Sequence, residues 1–399
     1  MKRRLAILLL FIAISGCGLS STQEFATLTP HPPAPSLSLT ITPRVLPTLT
    51  SSPELSLTAT FPPYTGKPFP VVFTRKGNLW IANIGESITE RQLTFGPQEM
   101  RIIDFDVSPD GTRIAYIPYQ LEPLNALIKL IDITTGNTSV ILGENDPFSE
   151  TRVVWLDNKT IAYKNQDQMV PTFTTERVEI ITTYIVYDLA TKKQLGITDF
   201  LYIRPSPNQR FWLGCSGGVA GCGWYTLQDL VNGKQYKLEG DTKLGGFMGW
   251  SPDSRSMLFN TVSSPDVCRS QLITVDAETL EHKTITAEDE NVWNASFSPT
   301  GNLLFYERKE RTDLEPCKSG EVDYRVLDLD NQQTYDIPTD FQIDFWYFSW
   351  TPDGKRLLFF PNGRSNGYEN ELWSMDLNGA HLQPILANVE DFKVLESIP

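Results

Sequence analysis

A turn-forming tetrapeptide recurs through most of this 399-residue chain and constrains its fold more than any other feature. Ser-Pro-Asp-Gly or a close variant occupies 108–111, 206–209, 251–254, 298–301 and 351–354. Neighbouring copies are roughly 45 to 53 residues apart. The one double interval contains a degenerate copy at 156–158. Short strands and tight turns that repeat at this interval are typical of a β-propeller.

The first clear copy shows how one repeat is built. Pro109 fixes φ at the second position of the turn, Asp110 tolerates the third, and Gly111 is suited to a left-handed fourth position. The turn therefore predicts a tight hairpin between strands A and B. Apolar segments at 127–132 and 138–142 supply strands C and D, which completes a four-stranded antiparallel blade.

Large rings stand just before or at these turns in several repeats. We expect them to pack between blades and not to serve as ligand platforms, because buried aromatic side chains contribute large apolar areas. The residues concerned are Trp155, Trp250, Phe297 and Trp350.

The number of blades follows from the turns and the two chain ends. Six A–B turns fall near residues 109, 157, 207, 252, 299 and 352. Residues 71–94 resemble strands B, C and D without an A, and 391–396 resemble an A alone. We predict an all-β, seven-bladed propeller whose closing blade is shared by the two ends, which removes exposed sheet edges. A six-bladed ring is the alternative if 71–94 is not integrated.

The N-terminus has the features of an export signal. Lys2, Arg3 and Arg4 precede an apolar run too short to span a bilayer, and Cys17 follows small residues. We predict a lipoprotein signal peptide at 1–16 and lipidation of Cys17. Residues 17–68, rich in Ser, Thr and Pro, are expected to form a disordered tether, with the propeller at 69–399. The protein would then be exported and lipid-anchored on the outer face of a bacterial membrane, in the cell envelope or periplasm.

Charge and cysteine content limit the partners. A net charge of −14 disfavours nucleic acid and electrostatic adhesion to anionic lipid. Apart from Cys17, four cysteines remain, which allow three disulfide pairings. We favour Cys215–Cys222 and Cys268–Cys317, and the spacing does not suggest a metal site. A monomer is expected.

The repeats also resemble a known family. Ser-Pro-Asp-Gly followed by an apolar strand, together with Glu-Leu-Trp-Ser-Met-Asp-Leu-Asn-Gly at 371–379, resembles TolB-like, WD-repeat-like bacterial propellers. The resemblance covers nearly all of 69–399 and implies the fold. The family's partners are not implied, because the Ser/Thr/Pro segment stands where TolB has an additional α/β domain.

Signals of catalysis are sparse. Residues 214–218 match Gly-x-Ser-x-Gly, but the pattern runs between two β segments, which favours a hairpin loop over a nucleophile turn. His31 falls in the tether, and His282 and His381 fall near predicted C–D turns. We therefore predict no catalytic, cofactor-binding or metal-binding residues and no cofactor.

Acidic residues recur in the connections from strand D of one blade to strand A of the next. Sevenfold closure would gather them around one mouth of the channel as a negative funnel for a cationic peptide, a basic protein patch or a divalent cation. The alternative is an acidic solvated surface. The residues are Glu99; Glu144, Asp146 and Glu150; Asp199; Glu239 and Asp241; Glu288, Asp289 and Glu290; Asp340 and Asp344; Glu390 and Asp391.

These features favour a non-enzymatic binding module of the cell envelope, anchored through Cys17, whose ligand is a protein, peptide or glycan. The competing hypothesis is a propeller lyase or hydrolase acting on extracellular carbohydrate, since carboxylates can cleave glycans without histidine. A structural head without a ligand is a third possibility.

Overall fold

A computed structural model describes most of the region predicted to form the propeller. The described residues are 66–96, 101–119, 128–142, 152–171, 178–198, 200, 202–216, 224–238, 244–261, 270–287, 290–309, 322–339, 342–361 and 370–395. Contacts divide the chain into Met1–Thr58 and Ala59–Pro399, and the second unit contains every described residue. The signal peptide, Cys17 and the tether to residue 65 lie outside the described residues and stay predictions.

The described strands form seven four-stranded antiparallel sheets. The closing blade contains, in spatial order, β28 (Asp391–Val394), β1 (Phe69–Arg75), β2 (Asn78–Ile84) and β3 (Thr89–Gln92). Blade 1 contains β4 (Arg101–Val107), β5 (Arg113–Tyr119), β6 (Ile128–Asp132) and β7 (Thr138–Leu142). Blade 2 contains β8 (Val153–Trp155), β9 (Thr160–Pro171), β10 (Val178–Asp188) and β11 (Lys193–Thr198).

The remaining four blades follow in chain order. Blade 3 contains β12 (Tyr202–Pro205), β13 (Phe211–Ser216), β14 (Trp224–Asp229) and β15 (Gln235–Leu238). Blade 4 contains β16 (Leu244–Trp250), β17 (Ser256–Thr261), β18 (Leu272–Asp276) and β19 (His282–Thr284). Blade 5 contains β20 (Val292–Phe297), β21 (Leu303–Lys309), β22 (Val322–Asp328) and β23 (Gln333–Ile337). Blade 6 contains β24 (Ile343–Trp350), β25 (Arg356–Pro361), β26 (Leu372–Asp376) and β27 (Gln383–Leu386).

The fold confirms the seven-bladed prediction, and all six predicted A–B turns lie between the first two strands of a blade. The first strands of neighbouring blades contact one another: β4 contacts β8, β16 contacts β20, and β24 contacts β28. These A strands are therefore innermost. Among the described residues, no helix is long and apolar enough to cross a membrane.

The recurrent turn has one hydrogen-bonding scheme in successive blades. In blade 1 the Ser108 hydroxyl donates to Asp110 Oδ1 (2.6 Å) and accepts the Arg113 backbone N–H (2.9 Å). Gly111 has φ of 71°, and its N–H donates to the Ser108 carbonyl (2.8 Å). Gln209 and Ser254 adopt the same left-handed conformation without being glycine, at φ of 62° and 63°. The Ser/Thr hydroxyl therefore closes the turn even where glycine is absent.

The core lies between blades. Trp155 and Trp350 are buried in interblade clusters, and Trp250 stacks on Phe211 of the preceding blade with ring centroids 6.1 Å apart. Phe297 is partly buried against the cluster between blades 4 and 5. The rings near the turns thus pack between blades, as the sequence indicated.

The closing blade joins the two ends of the described chain. Strand β28 pairs with β1 from Val71 opposite Val394 to Thr74 opposite Asp391. Phe392 meets Phe360 of blade 6 edge to face at 5.5 Å. The C-terminal strand therefore supplies the inner edge of the first sheet and contacts the last, which closes the ring.

Candidate ligand face and channel wall

The propeller has two distinct faces. The A–B and C–D turns lie on one, which we call the turn face. The D–A and B–C connections lie on the other, which we call the connection face. Because every blade follows the same strand order, each A strand starts at the connection face and runs along the channel.

Most of the predicted funnel acids lie outside the described residues, so the funnel stays a prediction. For Asp344, in β24, only the backbone is described. Three acids have described side chains: Glu290, Glu390 and Asp391. The rest are Glu99, Glu144, Asp146, Glu150, Asp199, Glu239, Asp241, Glu288, Asp289 and Asp340.

The described acids make contacts within the protein. Glu290 Oε1 lies 3.2 Å from Arg325 Nη1 and accepts from the Tyr306 hydroxyl at 3.4 Å. Glu290 Oε2 is buried without a hydrogen-bond partner. Asp391 Oδ1 accepts the Phe392 backbone N–H at 2.7 Å. Glu290 is thus held in an ion pair, and Asp391 helps to shape the start of β28.

A charged cluster that the sequence reasoning missed lies on the channel wall. Lys393 in β28 forms an ion pair with Asp106 in β4. Asp106 Oδ2 accepts the Trp155 backbone N–H at 2.8 Å, and Asp104 Oδ2 accepts the Val153 backbone N–H at 2.8 Å. The cluster therefore connects the innermost strands of the closing blade, blade 1 and blade 2.

The protein environment raises the pKa values of both Asp104 and Lys393. Burial raises the pKa of Asp104 to about 6, although Lys393 and the hydrogen bond from Val153 act in the opposite direction. Burial lowers the pKa of the Lys393 ammonium, but Asp106 and Asp104 more than offset this, so its pKa lies above the ordinary value. The Lys393 side chain is still 41% exposed, as expected on a channel wall.

The alternation of charged and apolar residues in two A strands indicates this cluster. Asp104-Phe105-Asp106-Val107 and Asp391-Phe392-Lys393-Val394 both place charges opposite buried rings. Residues that alternate along a strand point to opposite faces of its sheet, so these charges lie on the face away from the buried rings. Two such strands with opposite charges predict a contact once they are known to be neighbours.

The described part of the Gly-x-Ser-x-Gly pattern, 214–216, lies in β13, and the predicted hairpin loop stays a prediction. Ser216 ends β13 opposite Trp224, the first residue of the next strand in the same sheet. A Cβ on Gly214 would lie 2.6 Å from the Phe200 ring, so this glycine allows close packing. Residues 217 and 218, which complete the pattern, lie outside the described residues.

The two propeller histidines lie at the turn face. His282 begins β19 and His381 lies in the turn after β26, both at the C–D ends of their blades. His381 Nδ1 is 2.6 Å from Asp376 Oδ2. No cluster of three or more potential metal ligands occurs among the described residues.

Only one of the four propeller cysteines is described. Cys215 in β13 is fully buried and its sulfur is disulfide-bonded. Cys222, Cys268 and Cys317 lie outside the described residues, so both predicted pairings stay predictions.

Exposed aromatic side chains concentrate on the connection face. Phe95 follows β3 and is 82% exposed, Trp224 begins β14 at 43%, and Trp293 lies near the start of β20 at 46%. Tyr335, on the outer strand of blade 5, is the other large ring among the exposed described residues. The turn face instead exposes aliphatic side chains such as Val231.

Four A strands, β4, β16, β20 and β24, shift register against strand B, and in β4 and β20 a single extra residue lies near the connection-face end. The pairing register with strand B changes between Ile102 and Asp104 in β4, and between Val292 and Asn294 in β20. The intervening residues, Ile103 and Trp293, are each 46% exposed. Bulges commonly redirect a side chain, and here they leave apolar groups exposed beside the channel mouth.

Comparison with known proteins supports the fold. No protein-family model and no curated protein matches the sequence. Among solved structures, an oligogalacturonate lyase from Vibrio parahaemolyticus is 14% identical over 71% of this chain and 80% of its own, with a TM-score of 0.52. A prolyl endopeptidase structure is 13% identical over 81% of this chain, with a TM-score of 0.54.

TolB from Acinetobacter baumannii is also among the similar structures, at 15% identity over 82% of this chain with a TM-score of 0.45. The chain spans 65% of that TolB and 49% of the prolyl endopeptidase. The chain is a seven-bladed β-propeller, the architecture that its repeats predicted.

Proposed function

We propose that this protein is an exported binding module of the bacterial cell envelope that takes its ligand on the connection face. The observation that carries the proposal is the exposure of Phe95, Trp224 and Trp293 on that face. Aromatic side chains are enriched at binding surfaces because they offer large contact areas with few torsions to immobilise.

The scaffold suits this role. Trp224 and Trp293 stand on strands of the ring, so their backbone positions are fixed before a ligand arrives. Binding to a preorganised surface loses less conformational entropy than binding to a mobile one. The acids in the D–A connections would add a negative field at the same mouth and favour cationic groups on the partner.

The N-terminal features complete the proposal. Acyl chains on Cys17 would hold the protein at a membrane, and the segment 17–68 would let the propeller reach a partner away from the lipid surface. The partner class is an envelope protein, a peptide or a glycan, bound by a monomeric propeller. The disulfides Cys215–Cys222 and Cys268–Cys317 would stabilise loops on the connection face in an oxidising compartment.

A carbohydrate-active enzyme is the second candidate, favoured by Asp104. A carboxyl with a pKa of about 6 beside a second carboxylate resembles the acid and base pair of glycan-cleaving enzymes. One structural neighbour is an oligogalacturonate lyase. Both carboxylates are, however, engaged by backbone N–H groups of β8, which suits a positional role. Release of reducing or unsaturated ends from a polysaccharide would favour this candidate.

Capture from membranes after mild crosslinking tests the binding module. A variant with Phe95, Trp224 and Trp293 changed to serine removes the rings of the connection face, and Leu230→Ser with Val231→Ser is the matched change on the turn face. We expect the wild type and the turn-face variant to capture the same discrete partner and the connection-face variant to lose it. Equal capture by both variants would contradict the proposal.

The Cys17→Ser chain tests the anchor separately. We expect the wild type in the membrane fraction and this variant in the unanchored fraction, because a single serine cannot carry the acyl chains. A Cys17→Ser chain that remains with the membrane would contradict lipid anchoring at this residue while leaving the ligand face untouched.

A further inference from the structure

Trp293 is partly exposed because a β-bulge places it outside the interblade core. It is the extra residue of the bulge in β20, where Val292 pairs with Arg308 and Asn294 pairs with Glu307. Val292 is fully buried, whereas Trp293 is 46% exposed. The bulge therefore removes the ring from the interblade core and leaves it at the channel mouth of blade 5.

The ammonium of a lysine lies over this ring, and no described residue accepts a hydrogen bond from it. Lys309, the last residue of β21, places its Nζ 4.3 Å from the centroid of the Trp293 ring. Lys309 also forms an ion pair with Glu307, whose Oε1 lies 3.8 Å from Nζ, beyond hydrogen-bond distance. Among the described residues, no side-chain or backbone oxygen accepts a hydrogen bond from this ammonium, so three charged donors remain for a ligand.

Asn294, which follows Trp293 in the sequence, is held in place by a hydrogen bond to Glu307. Glu307 is 8% exposed, and its Oε2 accepts from Asn294 Nδ2 at 2.6 Å. That bond fixes the amide of Asn294 and leaves its Oδ1 as an acceptor. The site thus combines an exposed apolar ring, a charged donor and an oriented amide on two paired strands.

We infer that this site binds a sugar residue that carries a carboxylate, as part of an acidic glycan. The inference rests on the proposed function and names a ligand class for one part of the connection face. The C–H face of a pyranose packs on an indole, the carboxylate on the same small ring meets the Lys309 ammonium, and a hydroxyl donates to Asn294 Oδ1. A cationic group is disfavoured at this point because Lys309 would repel it, and the cationic groups that the predicted acids favour would bind elsewhere at the mouth.

An acidic peptide fits the site less well. An aspartate or glutamate side chain brings the carboxylate but has no rigid apolar face for Trp293, whereas a uronic acid has both on one ring. The assigned chemistry therefore requires Trp293 and Lys309 together.

Titration of the full chain with trigalacturonate, monitored by calorimetry, tests the assignment. The fully methyl-esterified trisaccharide is the matched ligand, because it removes the charge and keeps the ring. We expect the acid to bind at least tenfold more tightly than the ester. Equal affinities, or no binding of either sugar, would overturn the inference without variants being needed.

Variants then locate the site. Trp293→Ala should weaken acid binding at least tenfold, and Lys309→Met should abolish the preference for the acid over the ester. Tyr335→Ala, which removes an exposed aromatic side chain on the outer strand of blade 5, should stay within twofold of the wild type.

Other outcomes contradict the assignment. Unchanged binding by Trp293→Ala, equal loss in Tyr335→Ala, or tighter binding of an oligoglutamate peptide than of the sugar would each do so. If the sugar fails while the connection face still captures a partner, the inference falls and the proposed function stands.

Discussion

Asp104 shows how a position on the channel wall changes the charge behaviour of a carboxyl group. Its folded pKa is about 6, against an ordinary value of 3.8. Above pH 7 the folded and unfolded states are both ionised, and burial of the charge costs stability. As the pH falls from 7 towards 4, the folded state takes up the proton first, so this group makes the fold progressively more stable.

The Asp104→Asn variant isolates that effect, since its amide oxygen can still accept the Val153 N–H. We expect the difference in unfolding free energy, wild type minus variant, to rise by about 2 kcal/mol between pH 7.5 and pH 4.5. Urea denaturation at the two pH values measures it. A difference that does not change with pH would show that Asp104 titrates normally.

Single residues of the site were only partly predictable. Glu290 was recognised as an acid of a D–A connection, but its pairing with Arg325 depends on which side of blade 5 it reaches. Lys393 and Asp106 lie 287 positions apart in sequence, so their contact is defined only by closure of the ring. Trp293 gave no sequence signal beyond being aromatic, because its exposure results from a bulge.

At the scale of the element, the A–B turn is stabilised by one hydroxyl. Ser251 is 7% exposed; its Oγ donates to Asp253 Oδ1 (2.6 Å) and accepts the Ser256 backbone N–H (2.9 Å). In blade 6, Thr351 makes the equivalent bonds to Asp353 and Arg356. The hydroxyl, and not the serine as such, therefore stabilises these turns.

Ser251→Ala and Ser251→Thr form a matched pair that tests this requirement. The alanine variant leaves the Ser256 N–H without its acceptor, which should cost about 1–2 kcal/mol of unfolding free energy. The threonine variant should stay close to the wild type, as Thr351 indicates. Chemical denaturation measures both, and equal destabilisation by the two substitutions would refute the role of the hydroxyl.

Strand order was easier to predict than strand register. Alternation and turn residues placed β7 at 138–142 and the turns of six blades correctly. The bulges in β4 and β20 were not predictable, because a one-residue shift depends on cross-strand packing that no local pattern specifies. Those bulges decide which side chains are exposed at the channel mouth.

At the scale of the whole molecule, the repeat and the two incomplete chain ends were sufficient to predict a closed ring. The paired β28 and β1 confirm it. The difference between the two faces was not predictable, since it arises from where Phe95, Trp224 and Trp293 fall after seven blades are assembled. The fold is therefore predictable from local sequence patterns, whereas the ligand face depends on where the assembled blades place residues that are distant in sequence.

Photo-crosslinking in living cells tests the ligand face most directly. A photoreactive amino acid is placed one position at a time at Phe95 and Trp224 on the connection face, and at Val231 and Leu382 on the turn face, all of them exposed. We expect light-dependent adducts from the two connection-face positions and none from the turn face. Adducts only from the turn face, or none from any position, would contradict it.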